Sequence, residues 1–233
     1  MPASRTARRN ALGGRVALLA GATGLIGRAL LPLLLASERH GAVHVLLRRT
    51  VAGIDSHPKL TRHNVNFAHL PEPFPAADDA FIALGTTIKV AGSEAAFRQV
   101  DFDFVVNTAR AARAAGATRL AVVSALGADA QSRVFYNRVK GEMEAAIAAL
   151  GYDSVVIARP SLLVGDRAAL GQPVRFGEVW TTRLLAPVMG LVPKGLRPIA
   201  AATVAKAMLT ASLAGAPGVS ILDSAQMQAS AGD

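Results

Sequence analysis

A chain of 233 residues that is 52% hydrophobic and 18% charged is too apolar to be disordered, and it is long enough for a large α/β core. It contains no cysteine, which excludes a disulfide framework and a thiolate metal site. Its formal charge of +9 comes mostly from arginines spread along the chain, and with 5% aromatic residues it offers few stacking platforms, so no specific nucleic-acid partner is expected.

In chain order, the first thirteen residues read as a short disordered basic arm, and residues 14–233 as a single domain. Arg8 and Arg9 precede an apolar segment, as in a twin-arginine export signal. That segment is also the first strand and helix of the fold, so cleavage would remove them, and the expected location is the cytoplasm. No apolar run approaches the roughly 20 residues that a membrane span requires. The first strand, about Arg15–Ala20, runs into glycines at 21, 24 and 27 and then into a helix at about Leu25–Ser37 that contains Pro32. The second strand is Val43–Leu47, ending in Arg48 and Arg49. Residues 50–63 read as loop or a very short helix, and a third strand is expected at about Asn64–Phe67. Pro71, Pro73 and Pro75 force a surface connection before a fourth strand, Ala80–Leu84, which opens into Gly85-Thr86-Thr87.

A helix is then expected from about Glu94 to Ala115, with Phe97, Val100, Phe104, Ala111 and Ala115 at helical spacing. The fifth strand, Leu120–Val123, opens into Ser124-Ala125, and a helix follows at about Arg133–Leu150. The sixth strand, Ser154–Ala158, is closed by Arg159-Pro160. A helix at Thr203–Leu213 and a short strand, Val219–Leu222, end the pattern. Strands alternating with helices give a doubly wound parallel sheet with helices on both faces and a small C-terminal extension. The histidines, His40, His44, His57, His63 and His69, show no metal-ligand spacing on a predicted helix, and no metal is expected.

Two features carry chemistry. The first is the glycine turn. Gly21 lets the chain turn off the strand, Gly24 admits a pyrophosphate, and Gly27 lets the helix pack on the sheet with its N–H groups facing the anion. Ordinary strand-to-helix turns also use glycines; the place at the start of a βαβ unit favours the phosphate role. The second is Tyr136 and Lys140, four apart on a helix and therefore on one face. An ammonium beside a phenol favours phenolate, which makes the phenol a general acid or base. A solvent-exposed helix pair is the plainer reading. Ser124, at the carboxyl edge of the sheet, can hydrogen-bond a substrate oxygen or simply cap a turn.

These residues carry a resemblance to the short-chain dehydrogenase/reductase superfamily, in its extended or atypical branch. The markers are GATGLIG, the LGTT segment, Ser124, Tyr136 with Lys140, and Arg159-Pro160-Ser161. Within that branch the chain is most similar to the Tat-interacting-protein oxidoreductases and their bacterial relatives, over LGTT…AGSEAAFRQVDFDFV, VVSALGADAQS, FYNRVKGEMEAAI and ARPSLLVGDR. The resemblance implies a Rossmann fold and an NAD(P) cofactor held by Gly21, Thr23, Gly24, Leu25, Ile26 and Gly27. It implies further that Leu84, Gly85 and Thr86 line the cofactor cleft, that Lys140 also binds the nicotinamide ribose, and that Pro160 and Ser161 meet the nicotinamide. Two positions depart from the pattern. Ser124-Ala125 stands where members often have two hydroxyl residues, and Asp101 where many have Asn.

The expected function is an NADP(H)-dependent oxidoreductase with Tyr136, Lys140 and Ser124 as catalytic residues, acting on a small carbonyl or hydroxyl compound that the sequence does not name. The branch also contains epimerases and dehydratases that use the same Tyr and Lys. Arg48 and Arg49, where a carboxylate would favour NADH, suit the 2′-phosphate of NADPH. Residues 161–200 are expected to shape the substrate pocket, with Arg175, Phe176 and Trp180 as candidates to line it or to pack beneath it. The alternative, from another class, is a non-catalytic NADPH-binding sensor. Oligomeric state is left open.

Overall fold

Five of the six residues of β1 (Arg15–Ala20) are buried, the pattern of a parallel strand covered on both faces rather than one. It lies inside a seven-stranded sheet of order β3-β2-β1-β4-β5-β6-β9, every pairing parallel. The other strands are β2 (His40–Leu47), β3 (Leu60–Asn64), β4 (Asp79–Ile82), β5 (Arg119–Val123), β6 (Ser154–Arg159) and β9 (Gly218–Asp223). The computed structural model describes residues 13–49, 54–164 and 194–230. The basic arm through residue 12 and the candidates Arg175, Phe176 and Trp180 therefore lie outside the described residues.

The strands sort their side chains between two cores. Ala17 and Leu19 face α1 (Leu25–Ala36) and α6 (Ala201–Ala214), joining Leu30, Leu34, Val204 and Met208. Leu18 and Ala20 face the other way, onto α4 (Val105–Ala114) and α5 (Phe135–Ala148), joining Val105, Ala109, Met143 and Ile147. Adjacent residues of a strand point to opposite faces, so one strand supplies both cores. Burial of this extent on both sides is what makes a wholly parallel sheet stable. The doubly wound architecture expected from the alternation of elements is present.

Several boundaries differ from the sequence reading. The third strand lies at Leu60–Asn64, ahead of the expected Asn64–Phe67. It is an edge strand with no fully buried residue, so it lacks the apolar signature of a central strand. Val65 and Phe67 are buried just after it, in a turn closed by the Asn66–His69 bridge. Pro32 lies inside α1, as expected, and the helix continues past it to Ala36. The long helix expected at 94–115 is assembled from α3 (Glu94–Arg98), a π-helical turn (Gln99–Phe104) and α4. A one-turn α2 (Ile88–Ala91) precedes it, and α7 (Ser224–Ala229) follows β9, capped by Asp223. The C-terminal extension contributes a two-stranded ladder of β7 (Leu163–Val164) with β8 (Ile199–Ala200), beside a 3-10 turn at Lys194–Leu196.

The amino end of the sheet is tied by charge. Arg15 donates to both oxygens of Asp79 at 2.7 Å, and the buried His40 ring lies 3.0 Å from the same carboxylate. Burial alone would raise the Asp79 pKa, but the His40 and Arg15 hydrogen bonds outweigh it and hold the group below its ordinary value. The first residues of β1, β2 and β4 are thereby fixed to one another. The chain reverses its winding between β1 and β4, which opens a crevice at the opposite, carboxyl end.

Candidate active site

The crevice begins where β1 ends. Gly21 has φ of 90°, and a Cβ on it would stand 2.4 Å from the Ala83 carbonyl oxygen, so β1 and the end of β4 approach as closely as only glycine allows. A Cβ on Gly27 would fall 2.0 Å from the Gly21 carbonyl oxygen, so α1 can sit on the turn only with glycine there. Gly24 is different. It has extended backbone, with φ of −79°, and its Cβ would meet nothing nearer than 3.5 Å. The protein's own packing does not require glycine at that position, whereas a group brought close to the backbone from outside would. Gly24 is also the N-cap of α1, with no side-chain cap and no acidic residue in the first turn. Among the described residues no side chain caps the first N–H groups of α1, an arrangement suited to a phosphate.

The second wall follows β4. Leu84, Gly85 and Thr86 border the same cleft as Gly24, Leu25 and Ile26. The Thr86 N–H donates to Asp101 Oδ2 at 2.8 Å. Asp101 sits in the π turn, only 1% exposed, and its other oxygen lies 2.7 Å from Lys140 Nζ. Single π turns inside α-helices recur at functional sites because they re-aim a side chain that the regular helix would point elsewhere. A contact between an acid on the β4-side helix and a lysine of α5 was not legible in the sequence. The signals in the sequence were that Asp101 alternates with Val100 and Phe102, as Asp103 does with Phe102 and Phe104, and that it stands where many members of the resembled family have Asn.

The third wall comes from β5, α5 and the end of β6. Tyr136 and Lys140 both border the cleft from α5, as their spacing predicts. Lys140 is buried and Tyr136 half-buried, its ring 5.2 Å from that of Phe97. Ser124 and Ala125 both line the cleft, and the Ser124 backbone N–H is held by the Ala158 carbonyl at 2.7 Å. The Ser124 Oγ is buried yet has no hydrogen-bond partner among the described residues. A buried hydroxyl left unsatisfied is costly, and its position on a cleft wall marks where an outside group can supply the missing bond. Pro160 and Ser161 complete this wall, with Ser161 tied by its N–H to Ser224 Oγ at 2.7 Å. The cleft they enclose has a volume of about 460 Å³.

Not every predicted residue borders it. Gly21 and Gly27 lie beneath the turn and act through backbone packing. Thr23 faces a second hollow, of about 320 Å³, between α1 and residues 54–60. Arg48 and Arg49 are exposed just past the carboxyl end of β2, on the crevice side of the sheet but off the cleft itself.

Residues 21–172 match a protein family described as NAD(P)H-binding. Protein FMP52, mitochondrial, of Eremothecium gossypii is 36% identical over 152 residues, covering 65% of this chain and 67% of that one. Protein HTATIP2 of Rattus norvegicus is 35% identical over 167 residues, covering 70% of this chain and 66% of its own. The matched stretch thus spans about two thirds of these relatives. Among solved structures, a double mutant of DesIV, a dTDP-glucose 4,6-dehydratase from Streptomyces venezuelae with NAD and DAU bound, superposes with a TM-score of 0.68. It covers 91% of this chain and 78% of its own at 17% identity, a likeness of fold alone. The cytoplasmic location expected from the sequence is overturned by the fungal relatives, which are named mitochondrial. The first strand's place in the sheet bears on cleavage inside the fold and says nothing of where the folded protein resides.

Proposed function

The chain belongs to the NAD(P)H-binding family, and on that premise we propose that it is an NADP(H)-dependent oxidoreductase of the short-chain type, acting on a carbonyl or hydroxyl compound. The observation that carries the reading is convergence. The glycine turn, the Tyr136 and Lys140 pair of α5, and the unpartnered Ser124 hydroxyl after β5 come from three separate parts of the chain and border one cleft. A fold that only bound the nucleotide would use the glycine turn and Lys140, and would need neither Tyr136 nor Ser124.

Gly24, Leu25 and Ile26 hold the pyrophosphate end, and Lys140 the nicotinamide ribose. A nicotinamide, when bound, exchanges hydride with the substrate carbon. The chain's own residues manage the oxygen. Ser124 donates to it and fixes its position, and Tyr136 delivers or removes the balancing proton. Lys140 keeps positive charge beside the phenol, and Asp101 anchors that ammonium at 2.7 Å. An epimerase or dehydratase would use the same residues with a transient oxidation.

Tyr136→Phe tests the reading. It should leave cofactor affinity, measured by calorimetry, near that of the wild type and lower turnover at least about a hundredfold, the usual worth of a positioned acid or base. Lys140→Ala should weaken cofactor binding as well. Full activity in Tyr136→Phe would remove the proposed site chemistry.

A further inference from the structure

The rim of the cleft carries a second message. Val90, Leu126, Leu162 and Leu196 are 62%, 40%, 36% and 57% exposed, and all four border this one cleft. Single exposed aliphatics are ordinary, but several gathered around one opening mark a surface built to be covered. They arrive from four places in the chain: α2, the β5–α5 loop, the β6–β7 loop and the 3-10 turn. Three of them are held by hydrogen bonds of their backbone: Val90 N–H donates to the Thr87 hydroxyl, Leu126 N–H to the Pro160 carbonyl, and the Leu162 carbonyl accepts from Ile199 N–H.

The polar groups tell the complementary half. Among the described residues, the charged side chains on the cleft wall are Asp101 and Lys140, and they face each other. The Thr87 hydroxyl is engaged by Val90 N–H, and the Ser161 hydroxyl donates to the Arg197 carbonyl. An anionic head group entering here meets no uncommitted cation among the described wall residues. Ser124 and Tyr136 provide a place for one oxygen, and aliphatic side chains surround the way in. A few placed polar groups under an apolar wall is the usual design of a site for an apolar small molecule.

Resting on the oxidoreductase reading above, we infer that the substrate is an uncharged carbonyl compound with an aliphatic chain. Its oxygen lies at Ser124 and Tyr136, and its chain lies against Val90, Leu126, Leu162 and Leu196. Among the described residues, this wall offers no free cation for the diphosphate of a nucleoside diphosphate sugar.

The test separates binding from turnover. The full chain, saturated with NADP⁺, is titrated by calorimetry with 2-butanone, 2-hexanone and 2-octanone; NADP⁺ has no hydride to give, so no reaction consumes the ketone. Each added methylene should tighten binding by about fourfold until the cleft is filled, the value expected for apolar transfer. Val90→Ser combined with Leu196→Ser, both at exposed positions that the fold does not need, should flatten that dependence and leave NADP⁺ affinity unchanged. Affinity indifferent to chain length, or UDP-glucose binding more tightly than 2-octanone, overturns the inference. A chain-length dependence without NADPH consumption by octanal or 2-octanone leaves the apolar seat standing and sinks the oxidoreductase reading instead.

Discussion

Arg48 and Arg49 are the residues on which we propose that cofactor choice turns. Both follow β2 at the carboxyl edge, both are exposed, and neither has a hydrogen-bonding partner among the described residues. A guanidinium recognises a phosphate through paired N–H donors, and a carboxylate at this edge would instead accept from ribose hydroxyls. NADPH should therefore bind more tightly than NADH, and Arg48→Ala should erase most of that preference while leaving NADH affinity nearly unchanged. Competitive titration of both cofactors by calorimetry measures this. Equal affinities in the wild-type chain would contradict it. The places of such residues were readable because they are local: Arg48 at a strand end, Tyr136 and Lys140 one helical turn apart. Asp101 was legible as an oddity of composition and not as a partner of Lys140, because the contact is made across two helices by a π turn that no local pattern announces.

At the scale of elements, the strands buried on both faces were readable and the edge was not. β1, β5 and β6 are apolar apart from their end residues and were placed to within a residue, whereas β3 is polar and was displaced onto the buried Val65 and Phe67 beside it. β3 is held to β2 by backbone pairing and by a side-chain contact that the sequence did not suggest, His44 Nδ1 against His63 Nε2 at 2.7 Å. Burial, with the neighbouring His63 adding to it, lowers the His44 pKa, and burial lowers that of His63. At a shared hydrogen bond of this kind one ring donates and the other accepts, so protonating both breaks it. The unfolded chain then binds more protons than the folded one once the pH falls below about 6.5. Stability is full above that pH and is lost as the pH drops toward the depressed folded values. Denaturant midpoints measured from pH 7.5 to 5 should fall, and His44→Gln combined with His63→Gln should flatten the decline. The Asp79 cluster acts in a separate window. Its carboxylate is held below its ordinary value of 3.8, so its contribution is present above that pH and is lost only on further acidification. A decline equally steep in the double variant would assign the acid sensitivity to other groups.

The whole molecule divides its labour between the two ends of the sheet. At the amino end Arg15, His40 and Asp79 satisfy one another and leave nothing for a ligand. At the carboxyl end Ser124 is unsatisfied, α1 starts without a side-chain cap, and the apolar rim is exposed. Stability and binding should therefore be separable by substitution even within the single glycine turn. At Gly27 a Cβ would lie 2.0 Å from a backbone oxygen that cannot move without shifting β1, so Gly27→Ala should cost the free protein about 1–3 kcal/mol, as overpacking does. For a chain of this size each of those kcal/mol lowers Tm by about 2–4 °C. At Gly24 the same methyl group meets ordinary contact distances, so Gly24→Ala should melt within about 2 °C of the wild type when no cofactor is present. The difference appears on adding NADPH. At a concentration of one hundred times Kd the wild type should gain about 2.7 kcal/mol, a rise of about 5–10 °C, and Gly24→Ala should show little of it because its methyl group occupies the place of the pyrophosphate. Thermal melts of the three proteins with and without NADPH decide the matter. A Gly24→Ala chain destabilised on its own, or stabilised by NADPH as fully as the wild type, would show that this glycine serves the fold and not the cofactor.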